Sequence, residues 1–366
     1  MMSLLAPPHT LPSLLRGGVR FAFLILTTLA LLLAPPVYAA QPAVTAAQVG
    51  QFTGPDRAAR ILAGAKREGS VSIYSSMPVD VMAAVTVAFE KKYGIKANVW
   101  RGGSEEILQR TVAEGRGGRH AVDLVESAAA EIEAIGREHL LQPVTSPVFA
   151  DLMPGSVVPN RPWVTSRQIV FVTAYNTNLV RPADVPKRFE DLLDPKWKGR
   201  LTIEQGDSNW LMGMSHELGQ ERVLKLFRDI VAKNGIAVRN GHGLVTNMLA
   251  SGEVPLTFTQ YYEQAARAKR QGAPIGIAIL NPVIAVPTGL GVLRNAPHPH
   301  AAMLFMDFYL SEGQTILTGF DYVPTNLKAQ RLPAGMKLVV ADMARYVDEF
   351  AMWRRIFLEV FQARGR

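Results

Sequence analysis

The feature that most constrains the fold is a regular alternation of strand-like and helix-like segments. "SVSIYSS", rich in β-branched residues, begins at Ser70 and precedes "PVDVMAAVTVAFEKKYG", where apolar residues recur at helical spacing before Gly94. "IKANVW", a helix opened by Ser104, "AVDLVES" and "AAAEIEAIGREH" continue the same order. Such alternation is typical of parallel sheets with right-handed crossovers, so we expect an α/β fold.

The middle of the chain repeats this pattern and indicates a second lobe. "RQIVFVTAYN", "KGRLTIEQ" and "EVPLTFT" are predicted strands, and "WLMGMSHELG" and "YYEQAARAKRQG" are predicted helices. We expect residues 40–166 and 285–366 to form one lobe and residues 167–284 the other, with mainly parallel sheets and two hinge crossings. Ligands bind at the carboxyl ends of strands in open α/β sheets, so the cleft between lobes is the predicted site.

The first 39 residues predict a signal peptide. Arg16 and Arg20 precede an apolar run, "FAFLILTTLALLL", which is followed by a proline pair and "VYAA". This run is shorter than the roughly 20 residues that a membrane-spanning helix needs. We therefore expect an exported protein located in the periplasm.

Composition excludes several functions. The chain has no cysteine, which excludes a cysteine-ligated zinc site and a thiol nucleophile. Its net charge of +8 is scattered, so no nucleic-acid partner is expected. Hydrolase motifs such as G-x-S-x-G and H-E-x-x-H are missing from the sequence. We expect a monomeric, non-enzymatic binding protein; an exported hydrolase and a sensor domain are the alternatives from other classes.

Several stretches carry a family resemblance. "AFEKKYGIK", "AYNTNLV", "FEDLLDPKWKGRL", "NGHGLVTNMLASGEVPL" and "GVLRNAPHPHAAMLFMDFYLSEGQ" resemble periplasmic solute-binding proteins of ABC transporters, of the ferric-ion-binding type. The resemblance implies the two-lobed type 2 periplasmic-binding fold and an inner-membrane permease as partner. It implies no cofactor, and ferric iron would be transported cargo.

A tyrosine pair is the strongest ligand signal. Tyr261 and Tyr262 stand where a predicted strand meets a predicted helix, and phenolate oxygen suits a hard cation. The resemblance gives both the role of iron ligands. Three departures count against iron: Met77 replaces a family histidine, Glu126 stands two positions before the usual glutamate, and Trp210 replaces a third tyrosine. Water, an anion or Glu126 would have to complete the coordination shell of the ferric ion.

An anion is the competing ligand. Helix starts bind anions through free N–H groups, strand ends face the expected cleft, and an arginine can clamp a carboxylate or phosphate. The predicted contacts are Ser75, Ser76, Gly103, Ser104, Glu126, Arg167, Asp207, Ser208 and Asn209. They suit an anion bound together with iron, or a phosphonate, phosphate ester or carboxylate without metal. His298 and His300, in "APHPHAA", are expected in an exposed loop rather than a metal site.

Overall fold

The computed structural model describes residues 45–330, 332 and 335–362, and the predicted signal peptide, residues 1–39, lies outside them. The strands are β1 Ser70–Ser75, β2 Lys96–Arg101, β3 Leu124–Ala128, β4 Leu141–Gln142, β5 Val164–Asn176, β6 Leu201–Glu204, β7 Ala237–Arg239, β8 Leu256–Tyr261, β9 Ile275–Ala278, β10 Val283–Leu293, β11 Val323–Pro324 and β12 Leu338–Val340. The α-helices are α1 Ala46–Gly50, α2 Arg57–Glu68, α3 Val79–Tyr93, α4 Ser104–Arg116, α5 Ala129–Arg137, α6 Ser208–Leu218, α7 Gln220–Asn234, α8 His242–Ser251, α9 Tyr262–Arg270, α10 Pro299–Tyr309, α11 Glu312–Thr318 and α12 Met343–Phe361. Short 3-10 helices cover Pro147–Asp151, Pro182–Asp184, Phe189–Leu193 and Pro195–Trp197.

Glycines set two of the helix-to-strand transitions in the first half. α2 ends at Gly69 (φ 74°) and α3 ends at Gly94 (φ 69°), and both backbones are left-handed. Glycine adopts this conformation without the steric cost of a Cβ, and it lets the chain turn out of the helix within one residue. The turns direct the chain into β1 and β2, which pair in parallel.

The strands form one mixed sheet in the order β2-β1-β3-β10-β5-β8-β6-β7. β1 is parallel to β2 and β3, and β6 is parallel to β7 and β8, as the strand–helix alternation predicts. β10 is antiparallel to both β3 and β5, and β8 is antiparallel to β5. The predicted α/β class is confirmed, and the sheet is mixed. The expectation of mainly parallel pairing is wrong, because β5 is antiparallel to each of its neighbours and β10 is antiparallel to β3, β4 and β5.

Strand β5 links the two groups of strands. Its first half pairs with β10, and its second half, from Phe171 onward, pairs with β8 and β9. Arg167 lies in the first half, and Phe171 stands opposite Tyr261 in the register. This is the segment where the sequence predicts the first crossing between lobes, while the lobe boundaries themselves stay a prediction.

Aromatic side chains fill the core beside α6, α7 and α12. Trp210 is 1% exposed and packs against Phe189, Phe227 and Phe258 with ring centroids 5.1 to 5.9 Å apart. The tryptophan that replaces the family tyrosine is therefore a core residue. α12 packs on α5, α6 and α7 and so touches both predicted lobes. Within the described ranges, no helix is long and apolar enough to cross a membrane.

Candidate functional site

The paired tyrosines lie at the strand-to-helix corner that the sequence predicts. β8 ends at Tyr261 and α9 begins at Tyr262. The Tyr261 ring stacks on the imidazole of His242, with 3.6 Å between ring centroids, and meets Phe171 edge-on at 5.3 Å. Tyr262 instead packs beside an apolar cluster that includes Val170. The two phenols therefore have different neighbours.

The hydroxyl of Tyr261 lies among acidic groups. Burial raises its pKa well above the usual value, and the carboxylates of Asp207, Glu263 and Glu204 raise it further. The Arg167 guanidinium acts in the opposite direction. A phenol in this environment stays protonated near neutral pH unless a cation binds beside it and displaces the proton.

Glu204, Asp207 and His242 form a buried group beneath Tyr261. The His242 Nε2 atom lies 3.0 Å from Asp207 Oδ1 and 3.9 Å from Glu204 Oε2. One potential ligand atom from each residue lies within 4.8 Å of the other two. Carboxylate oxygen and imidazole nitrogen both suit iron. Among residues 45–330, 332 and 335–362, this is a group of side chains with the spacing of a metal site.

Backbone donors fix this group, but it keeps two unpartnered atoms. The N–H groups of Gly206 and Gly241 donate to the two carboxylate oxygens of Glu204. Asp207 Oδ2 and His242 Nδ1 have no hydrogen-bond partner in the described part of the chain, although both residues are more than nine-tenths buried. Burial raises the pKa of Asp207. Burial lowers the pKa of His242, but the carboxylates of Asp207, Glu204 and Glu263 together outweigh this effect and leave it raised.

Local sequence patterns point to Asp207 but not to Glu204 or His242. Glu204 is the last residue of β6, and His242 follows the end of β7, its parallel neighbour. Because the carboxyl ends of adjacent parallel strands meet at one edge of a sheet, the pairing of "LTIE" with "IAVR" would have brought the two residues together. The short β7, which is three residues long, gave too weak a strand signal for that inference.

Glu126 is already engaged by protein groups. Arg167 Nη2 lies 3.4 Å from Glu126 Oε1, and the Ser75 hydroxyl donates to Glu126 Oε2 at 2.7 Å. Glu126 and Ser75 are fully buried, and Arg167 is 5% exposed. Ser76, the next predicted contact, donates its backbone N–H to the Glu126 carbonyl. The Arg167 guanidinium also lies over the ring of Tyr322 at 4.8 Å.

The two predicted helix-start sites flank one cavity of about 480 Å³, which Ser208 and Asn209 line. Gly103 and Ser104 begin the other helix, α4, whose next residue also lines it. The Ser208 hydroxyl hydrogen-bonds to the Tyr346 hydroxyl at 2.8 Å, and Asn209 Oδ1 accepts from a backbone N–H next to it. Ser104 Oγ accepts a long 3.4 Å bond from the backbone of β3, and the Gly103 N–H donates to a glutamate of the same helix.

Acidic side chains make this cavity a poor anion site. Glu105 and Glu131 both line it, and Arg354 is the basic residue among its lining. The pKa of Glu131 is raised, first by burial and further by the charge of Glu105. One carboxylate oxygen of Glu131 has no hydrogen-bond partner among the described residues. The Asp207 side chain, in turn, points to His242 rather than into the cavity.

We expect Glu131→Gln to raise the melting temperature at pH 7. A raised pKa means that the folded state holds the proton of Glu131 more tightly than the unfolded state. The free energy of unfolding of the wild-type protein therefore falls as the pH rises above the ordinary pKa of glutamate. The glutamine of the variant does not titrate, so the variant does not lose this stability. Melting curves at pH 7 and pH 4 should show a gain only at pH 7. Glu217→Gln, on the exposed face of α6, is the control; an equal gain there would contradict the prediction.

His298 and His300 are engaged with carboxylates, not with each other. His298 Nδ1 lies 3.0 Å from Asp123 Oδ2, and His300 Nδ1 lies 2.7 Å from Glu68 Oε1. Asp123 is fully buried, so His298 holds a β3-side carboxylate in place. Each imidazole lies within hydrogen-bond distance of its own carboxylate. The expected exposed loop is wrong for His300, which lies in α10 with its side chain 12% exposed.

The comparisons with known proteins agree with this architecture. The model of a family described as bacterial extracellular solute-binding protein matches residues 84–344. Iron uptake protein A1 of Synechocystis sp. (strain ATCC 27184 / PCC 6803 / Kazusa) is 24% identical over 269 residues, which cover 69% of this chain and 74% of that protein. The Fe(3+)-binding periplasmic protein of Serratia marcescens is 25% identical over 273 residues, which cover 70% of this chain and 80% of that protein.

Solved structures show the same two-lobed fold. The Trichodesmium protein (IdiA, FutA) in complex with iron and citrate superposes with a TM-score of 0.67 at 21% identity, covering 80% of this chain and 99% of that one. The periplasmic binding protein AfuA from Actinobacillus pleuropneumoniae, with exogenous fructose-6-phosphate bound, superposes with a TM-score of 0.65 at 21% identity. The match covers 81% of this chain and 99% of that one. At this identity the likeness shows the fold, and the two neighbours hold different ligands.

Proposed function

Because the chain belongs to the bacterial extracellular solute-binding protein family, we propose that it is the substrate-binding component of an ABC importer and that its cargo is ferric iron. It works in the periplasm after export through the segment at residues 1–39, and it delivers its cargo to an inner-membrane permease. Tyr261 and Tyr262 supply phenolate ligands in this proposal. It is a binding protein, and the permease moves the iron.

The observation that carries the proposal is the acidic environment of the Tyr261 hydroxyl. Three carboxylates, those of Asp207, Glu263 and Glu204, each raise the pKa of this phenol. A trivalent cation would offset this negative charge and convert the phenol to a phenolate, which is a strong ligand for a hard cation. The names of two relatives, an iron uptake protein and an Fe(3+)-binding periplasmic protein, agree with such a cargo.

Ion pairs of α9 suggest how bound cargo is enclosed. Arg267 Nη1 lies 3.7 Å from Asp80 Oδ2 at the start of α3, and Arg270 pairs with Asp321. α9 begins at the tyrosine corner, and both partners lie in segments of the other predicted lobe. These pairs hold the corner against that lobe, and they would separate when the lobes open to load or release iron.

Thermal unfolding provides the test of the proposal. Iron-free protein mixed with ferric nitrilotriacetate is expected to turn coloured and to melt at a higher temperature. Ligand at 100 times its dissociation constant stabilises a folded protein by about 2.7 kcal/mol. Gallium(III), another hard trivalent ion, should stabilise without colour. No stabilisation by either ion would contradict the proposal.

A small phosphorylated organic anion is the second candidate. The Nε atoms of Arg167 and Arg267 are buried and have no hydrogen-bond partner in the described residues, so two guanidinium groups retain free donors near Tyr322. Arginine pairs bind phosphate and carboxylate groups through such donors. Fructose-6-phosphate and inorganic phosphate should then stabilise the iron-free protein without any metal; the ferric proposal predicts little effect from either alone.

A further inference from the structure

We propose that Asp207, Glu204 and His242 complete the coordination shell of the ferric ion at Tyr261, in place of Glu126. This inference rests on the proposed iron cargo. It assigns the remaining ligands to the sheet edge formed by β6, β7 and β8, so that iron is held mainly by the same part of the chain that carries the tyrosines.

Glu126 is poorly placed to serve as a metal ligand. Its Oε2 atom accepts from the Ser75 hydroxyl, and its Oε1 atom has no hydrogen bond but lies 3.4 Å from the charged Arg167 Nη2. Moving the carboxylate to iron would leave the Arg167 guanidinium buried without its partner, which is costly in a protein interior. Two phenolates would otherwise leave the ion without enough protein ligands.

The group at His242 has the missing donors beside the phenol. The His242 ring stacks on the Tyr261 ring, so the imidazole lies directly against the phenol. Asp207 Oδ2 is a buried carboxylate oxygen without a hydrogen-bond partner in the described ranges. A buried carboxylate oxygen without a hydrogen-bond donor, next to a buried phenol, is an arrangement that a cation would stabilise.

The protons and charges of the ligands can be counted. When iron binds, the Tyr261 and Tyr262 hydroxyls each release a proton to water, and His242 binds as the neutral imidazole. The two phenolates and the two carboxylates then bring four negative charges to a trivalent ion, and the remaining negative charge faces the Arg167 guanidinium, whose charge acts on the Tyr261 hydroxyl. Both Glu204 oxygens keep their backbone donors, Gly206 and Gly241, which hold the carboxylate in position.

Isosteric variants test the assignment by competition for ferric iron with citrate. Asp207→Asn and His242→Gln are each expected to weaken ferric binding by at least about tenfold, while the colour of the tyrosine complex persists with a shifted maximum. His216→Gln is the matched control and should stay within about threefold, and Glu126→Gln, compared once circular dichroism shows that it is folded, should stay within the same range. His216 lies on α6 against Trp353, away from the tyrosine corner.

A spectroscopic measurement covers the case in which an isosteric variant does not fold. Wild-type protein labelled with ¹⁵N-histidine and loaded with ferric iron should show histidine nitrogen coupling in pulsed electron paramagnetic resonance. That coupling should persist in His216→Gln. Absence of the coupling, or unchanged affinity in folded Asp207→Asn, overturns the inference while the tyrosine colour still supports iron as cargo. Wild-type protein that takes up no ferric iron overturns the proposed function itself.

Discussion

Tyr261→Phe is expected to lower ferric affinity on the order of 100-fold or more and to remove most of the visible colour. The substitution deletes one oxygen and keeps the ring that stacks on His242 and Phe171. The protein should therefore fold normally while the carboxylates of Asp207 and its neighbours lose the phenolate beside them. Citrate competition gives the affinity, and the absorption spectrum reports the phenolate-to-iron charge transfer.

Two further tyrosine variants test whether the effect is specific to Tyr261. Tyr262→Phe is expected to have a smaller effect, because the Tyr262 ring packs beside apolar residues. Tyr93→Phe is the control: its ring lies against Phe89 and Phe308, far along the chain from the corner. If Tyr261→Phe binds iron as tightly as Tyr93→Phe, the tyrosine corner is not the iron site.

Arg167→Met is expected to destabilise the fold by about 3–5 kcal/mol. The change leaves the Glu126 carboxylate, which is fully buried, without its charged partner. Burial lowers the pKa of Arg167, but the charges of Glu126, two nearby tyrosines and Glu263 together raise it above the ordinary value, so the guanidinium is charged at every ordinary pH. Urea denaturation followed by circular dichroism measures the loss.

A second pair provides the control for this prediction. Arg137→Met breaks the pair with Asp348, whose side chains are 43% and 61% exposed, and should cost less than about 1 kcal/mol. The double variant Arg167→Met with Glu126→Met should recover most of the stability, because neither charge then remains buried. Equal costs for Arg167→Met and Arg137→Met would show that the buried pair does not stabilise the fold.

Local patterns in the sequence predicted the elements around the site well. The turn from β8 into α9 at Tyr261 and Tyr262 and the end of α3 at Gly94 occur where the sequence places them. These features depend on residues that are neighbours in the chain: alternation along a strand, helical spacing, and a glycine at a helix end. Helix α7 was not predicted, although its apolar residues recur at helical spacing.

The composition of the site depends on contacts that are distant in sequence, and it was predicted less well. His242 meets Glu204 because β6 pairs with β7, and no local pattern specifies that pairing. Arg167 meets Glu126 because β10 pairs with both β3 and β5, and no local pattern specifies that contact either. Such partners follow from the register of the sheet, which a single sequence leaves open.

Native mass spectrometry with elemental analysis of the protein isolated from periplasm tests the central claim most directly. We expect about one iron atom per chain and a coloured protein whose colour fades when the iron is removed with a chelator and an acidic buffer. A colourless protein that carries no iron but retains a small phosphorylated compound would contradict the ferric function and favour the anion receptor.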